Sequence, residues 1–227
     1  ITVATAGVYA PLVTQSVNIL NNFENTRSQL LTITSASGAA AYNAAAGNAT
    51  PSPVVLANQR VGGSGSQVLT VANTAAAGVF SEDLNASFGA STGNATSTGA
   101  ISGRLAGTNN TGTGGMSVGV NTSVAGTRSG TVTLNYQTAG AVGGVSNGLG
   151  AADVGSQVIN VSGNVYQAAA GQIVTAPLNF GTVQVGQLVS QNLVIRNTAT
   201  GASGFVEDLN ASFGTAGDAR ISGVGVD

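Results

Sequence analysis

Eight consecutive residues, Glu82-Asp83-Leu84-Asn85-Ala86-Ser87-Phe88-Gly89, return unchanged 125 positions later as Glu207-Asp208-Leu209-Asn210-Ala211-Ser212-Phe213-Gly214. Self-similarity at a long fixed offset marks a chain built from repeated structural units, each folding around its own apolar face. The repetition extends to either side. Val61, Gly62, Ser66, Gln67, Leu69, Asn73 and Thr74 recur as Val185, Gly186, Ser190, Gln191, Leu193, Asn197 and Thr198, and Ile101-Ser102-Gly103 recurs as Ile221-Ser222-Gly223. A fainter copy opens the chain: Ile1-Thr2-Val3 with Val8-Tyr9-Ala10 is similar to Ile159-Asn160-Val161 with Val165-Tyr166-Gln167. Likewise Ser28-Gln29-Leu30-Leu31-Thr32-Ile33 is similar to Ser190-Gln191-Asn192-Leu193-Val194-Ile195. The expected division has three parts. Residues 1–51 are the end strand of a preceding repeat plus an Ala/Asn-rich linker, residues 52–167 a complete repeat, and residues 176–227 the N-terminal half of a second.

Within the complete copy, apolar and polar residues alternate with a period of two, the pattern of a strand buried on one face. Met116, Val118 and Val120 alternate with Ser117, Gly119 and Asn121. Val132, Leu134 and Tyr136 alternate with Thr131, Thr133 and Asn135, and Ile159, Val161, Gly163 and Val165 with Asn160, Ser162 and Asn164. Shorter candidates lie near Val54 to Ala57, Gln67 to Ala72, Leu84 to Phe88 and Ile101 to Leu105. About seven strands in one repeat is the count of an antiparallel sandwich. Glycines crowd Thr111 to Gly115 and Gly140 to Gly150, marking turns. The expected fold is all-β: tandem immunoglobulin-like antiparallel β-sandwiches, the second repeat incomplete.

Inventory removes most chemistries. Only 6% of residues are charged, and His, Cys, Trp and Lys are absent. Without them there is no Ser-His-Asp or Cys-His nucleophile, no Schiff-base or P-loop lysine, and no zinc, haem or iron–sulfur site held by His or Cys. A net charge of −2 with six scattered arginines makes no basic stripe for nucleic acid. No apolar run approaches the roughly 18 residues of a spanning helix. Ile1 is followed by no charged-then-apolar leader, which reads as a processed chain or an excerpt. The lack of cysteine fits a secreted bacterial surface protein.

At Leu178-Asn179-Phe180-Gly181-Thr182-Val183-Gln184-Val185-Gly186, followed by Leu193-Val194-Ile195-Arg196-Asn197-Thr198, the sequence resembles the ASH-type immunoglobulin-like repeats called choice-of-anchor D domains. Asn121 to Gly126, Gly130 to Leu134 and Val161 to Tyr166 resemble later parts of such repeats. In the first copy Leu56-Ala57 stands where the pattern has Phe180-Gly181. The resemblance implies a structural or adhesive module of secreted and cell-surface bacterial proteins, with no catalytic residues to carry over.

Glu82-Asp83 and Glu207-Asp208 are the paired carboxylates. Glycosidases need two such groups roughly 5–10 Å apart across a cleft, whereas neighbours on a strand point to opposite faces, so each pair reads as a turn or strand-entry feature. Asp83, Asn85, Asp208 and Asn210 are weak calcium candidates, for they lack the dense oxygen spacing that calcium requires. Asn-x-Ser/Thr triplets are expected by chance in so Asn- and Thr-rich a chain. Thr32/Thr34 and Thr131/Thr133 read as solvated strand faces.

The expectation is a non-enzymatic extracellular structural protein, without cofactor, forming part of a bacterial surface stalk or filament. Its partners are neighbouring repeats or copies of itself. Ile1, Val3, Val8 and Tyr9 are candidates for a donor strand that completes the open sheet of another subunit. The alternative is an adhesin module that binds a surface glycan or protein through its loops.

Overall fold

The computed structural model describes residues 5–8, 12–19, 27–34, 39–109, 115–175 and 177–214, and these form an all-β structure with no helix. Gly7–Val8 pairs with Ala40–Ala41, and Leu12–Ile19 pairs antiparallel with Arg27–Thr34. Of the proposed donor residues, Val8 is exposed on that first short strand, while Ile1, Val3 and Tyr9 lie outside the described residues.

The complete copy is organised around two long strands, Gly126–Thr138 and Ala152–Tyr166, paired antiparallel along their length. Leu84–Ser91 and then Ala100–Arg104 extend this sheet on one side. On the other side the entering segment pairs parallel with the exit strand: Val54 faces Val161, Val55 faces Ser162, Gln59 faces Val165 and Arg60 faces Tyr166. Two three-stranded sheets accompany it. In one, Ser117–Val120 lies between Ala95–Thr98 and Ser66–Val68. In the other, Thr70–Asn73 lies between Thr108–Asn109 and Gly47–Thr50.

Side chains from all three sheets meet in one core. Val132, Leu134 and Tyr136, with Ile159 and Val161, meet Val118, Val120, Val71, Leu84 and Ala86 there, as the period-two pattern requires. The stretch read as linker contributes to the same core. Ala49 on strand Gly47–Thr50 is 1% exposed, and Ala45 just before that strand is buried too. The signal was available, because Tyr42-Asn43-Ala44-Ala45-Ala46-Gly47 returns as Tyr166-Gln167-Ala168-Ala169-Ala170-Gly171.

The second copy begins where the first ends, with no spacer. Gly171–Ile173 pairs with Ile195–Asn197 in the register that joins Gly47–Thr50 to Thr70–Asn73, so that Gly171 faces Asn197 as Gly47 faces Asn73. Elsewhere in this copy apolar side chains are exposed, Phe180 at 46% and Phe213 at 48% among them.

Candidate functional site

Each copy starts with the same joint. In the first, the Asn43 N–H donates to the Phe80 carbonyl (2.8 Å), the Glu82 N–H donates back to the Asn43 carbonyl (3.0 Å), and the Tyr42 and Phe80 rings lie 5.7 Å apart. In the second, the Gln167 N–H donates to the Phe205 carbonyl (2.8 Å), the Glu207 N–H donates to the Gln167 carbonyl (2.9 Å), and the Tyr166 and Phe205 rings lie 5.4 Å apart. An asparagine locks each joint. Asn73 Nδ2 donates to the Glu82 and Arg104 carbonyls (3.0 Å each), while its Oδ1 accepts the Ala46 and Ala75 N–H groups (3.1 and 3.3 Å). Asn197 repeats the pattern, donating to the Glu207 carbonyl (3.0 Å) and accepting from Ala170 (3.0 Å) and Ala199 (3.1 Å). A buried amide with its donors and acceptors matched fixes the turn it spans. Asn73 and Asn197 are repeat positions in the sequence, but the repetition alone does not reveal this role.

The carboxylate pair follows the joint directly. In the first copy Glu82 is 3% exposed and Asp83 1%, and hydrogen bonds from distant residues meet both. The Thr138 hydroxyl donates to Glu82 Oε2, and Asn147 Nδ2 donates to Glu82 Oε1. The Gly143 and Gly144 N–H groups donate to Asp83 Oδ1 (3.1 Å) and Oδ2 (2.8 Å). These glycines form the tip of a hairpin that pairs Ala141–Val142 with Val145–Ser146. Both have positive φ (59° and 79°), the backbone a two-residue turn of this hand needs. Asp83 also pairs through its backbone, its N–H donating to Ala141 O and its carbonyl accepting the Ala139 N–H (2.8 Å each). The pair thus seats a hairpin at the entry of strand Leu84–Ser91. Asn85 Oδ1 accepts the Gly103 N–H (2.9 Å).

In the second copy the same residues have other surroundings. Glu207 takes both oxygens to Arg60 Nε, at 2.9 and 3.0 Å, and Asp208 and Asn210 are exposed. Arg60 is 70% exposed on its side chain, so solvent screens this pair and its contribution is small. An open cavity of about 550 Å³ lies here, lined by Asn58, Gln59, Arg60 and Tyr166 from one copy and Glu207 and Asp208 from the next. Among the described residues no three acidic side chains gather as a metal cluster would require. Of the four calcium candidates, Asp83 and Asn85 spend side-chain oxygens on backbone N–H groups.

Compared with known proteins, the chain matches no family model, and no curated protein matches it.

Proposed function

We propose that the chain is a non-enzymatic structural protein, a stretch of an extracellular stalk or filament made of immunoglobulin-like β-sandwich repeats. The observation that carries this reading is the duplicated joint. The exit strand of one copy ends at Tyr166 and runs straight into the Gln167 bridge that opens the next, and the Asn43 bridge opens the first copy in the same way. Units joined through their terminal strands add length by repetition, the logic of a linear array. The absence of His, Cys and Lys from the whole sequence supports a mechanical role over a catalytic one. The exposed apolar side chains of the second copy support assembly, because an unpaired sheet edge invites a strand from another chain. Head-to-tail donation of that kind is heterologous and grows a fibre when the rotation between successive copies does not close a ring.

Light scattering across a range of concentrations, with negative-stain images of the same samples, tests this reading. Fibres with a regular axial repeat are expected, and their growth is expected to stop when residues 1–10 are deleted while the complete copy stays folded. A monodisperse monomer at every concentration would sink the assembly reading.

A further inference from the structure

The two identical octamers provide an internal comparison: one is covered, the other is open. Glu82, Asp83, Leu84 and Ala86 are all buried, whereas their counterparts Glu207, Leu209 and Ala211 are half-buried and Asp208 is exposed. Ala100–Arg104 pairs with one edge of the first octamer, and a single continuous segment of the complete copy covers its other edge and its carboxylates. Thr138 faces Leu84 and Tyr136 faces Ala86 across the ladder, the Thr138 hydroxyl and the Asn147 amide reach Glu82, and the Gly143-Gly144 tip reaches Asp83. A third contact is independent of the carboxylates. The Tyr136 ring packs against Gly47, where a methyl group would overlap the ring. The second copy keeps that glycine as Gly171 in the same register. There a methyl group would instead approach Leu209 Cδ1 at 3.3 Å, and Leu209 is the counterpart of the fully buried Leu84.

From this we infer that the open face of the second copy, made by Gly171, Glu207, Asp208 and Leu209, is a docking site for a strand-and-hairpin segment with the chemistry of Tyr136 to Asn147. The segment places a tyrosine ring on Gly171, a hydroxyl and an amide on Glu207 in exchange for its solvent-screened contact with Arg60, and the paired N–H groups of a Gly-Gly turn on Asp208. Ring docking sends Leu209 inward to the position of Leu84. The ladder hydrogen bonds supply affinity, and the three side-chain contacts set register, as in β-strand addition generally. This inference deepens the structural reading above and rests on it only for its biological use.

The test is a fluorescein-labelled peptide with the sequence of Thr131 to Asn147, titrated with the full 227-residue chain and followed by polarisation. Saturable binding is expected. Asp208→Ala lies at an exposed position, so it leaves the fold intact by circular dichroism, and it is expected to weaken binding about tenfold or more by removing a charged acceptor of two N–H groups. A peptide carrying Tyr136→Ala is expected to lose a similar factor. Equal binding of a scrambled peptide, equal binding to the Asp208→Ala chain, or no saturable binding would each overturn the inference. Chain lacking residues 1–10 is expected to bind the peptide unchanged. Loss of fibre growth and loss of peptide binding are therefore separate results, and either reading can fail alone.

Discussion

Gln157 serves Ala49 as a strand partner made from a side chain: its Oε1 accepts the Ala49 N–H at 2.8 Å and its Nε2 donates to the Ala49 carbonyl at 2.9 Å. Ala49 sits on Gly47–Thr50, the outer strand of its three-stranded sheet, so these two groups would otherwise be an unpaired edge against the core. Replacing Gln157 with Leu leaves both unpaired and also removes the acceptor of the Tyr136 hydroxyl (2.7 Å). Chemical denaturation is expected to show a loss of about 2–4 kcal/mol, since each orphaned buried group costs about 1–3 kcal/mol.

Asn73 and Asn197 hold equivalent turns in unequal surroundings. Asn73→Ala removes a buried amide and leaves the buried Glu82 carbonyl, with the part-buried bonds to Arg104, Ala46 and Ala75, without its partner, at an expected cost of about 1–3 kcal/mol. Asn197→Ala acts on a turn that water reaches, and its expected cost is under about 1 kcal/mol. Urea midpoints of the two variants measured side by side decide the matter; equal shifts would contradict the difference in burial.

Asp83→Ala withdraws the acceptor from the Gly143 and Gly144 N–H groups. Amide exchange at these two glycines is expected to quicken by an order of magnitude or more, because charge-assisted bonds contribute about 1.5–3 kcal/mol. Exchange at the paired centre of the long strands, around Val132 and Ile159, is expected to change far less.

Burial raises the Tyr136 hydroxyl to about 12 from its ordinary value of 10.0. The folded chain therefore keeps its proton at pH values where the unfolded chain has lost it. The contribution of Tyr136 to stability is full below about pH 10 and is lost as pH rises toward 12, since the unfolded state binds fewer protons in that window. Tyr136→Phe is expected to flatten this alkaline decline, and the absorbance step near pH 12 that reports tyrosine ionisation is expected to disappear in this variant.

Much of this architecture is legible in the sequence because it is local. The alternation of Val132, Leu134 and Tyr136 and of Ile159 and Val161 places strands and their inward faces directly, and the core buries all five. The glycines at 143 and 144 signal a turn for the same reason. What escapes local reading is pairing across long separations. Nothing in the neighbourhood of Asp83 announces that its carboxylate meets a turn 60 residues away. Nothing near Ala49 announces Gln157, 108 residues on. Alanine-rich Ala44 to Gly47 carries little hydrophobic periodicity, so it reads as linker although small side chains suit the space beneath Tyr136.

Entry and exit of the complete copy run side by side in the same direction, Val54 and Val55 along Val161 and Ser162, Gln59 and Arg60 along Val165 and Tyr166. Further bonds join them, from the Leu56 N–H to Ser162 O (2.8 Å) and from the Val61 N–H to Tyr166 O (2.9 Å). Tension drawn between residues 53 and 167 pulls these parallel segments in opposite directions along their common axis. The bonds are then strained together in shear instead of parting one by one like a zip. A copy loaded between these points resists stretching collectively, and it does so with an array of ordinary backbone hydrogen bonds and no covalent cross-link.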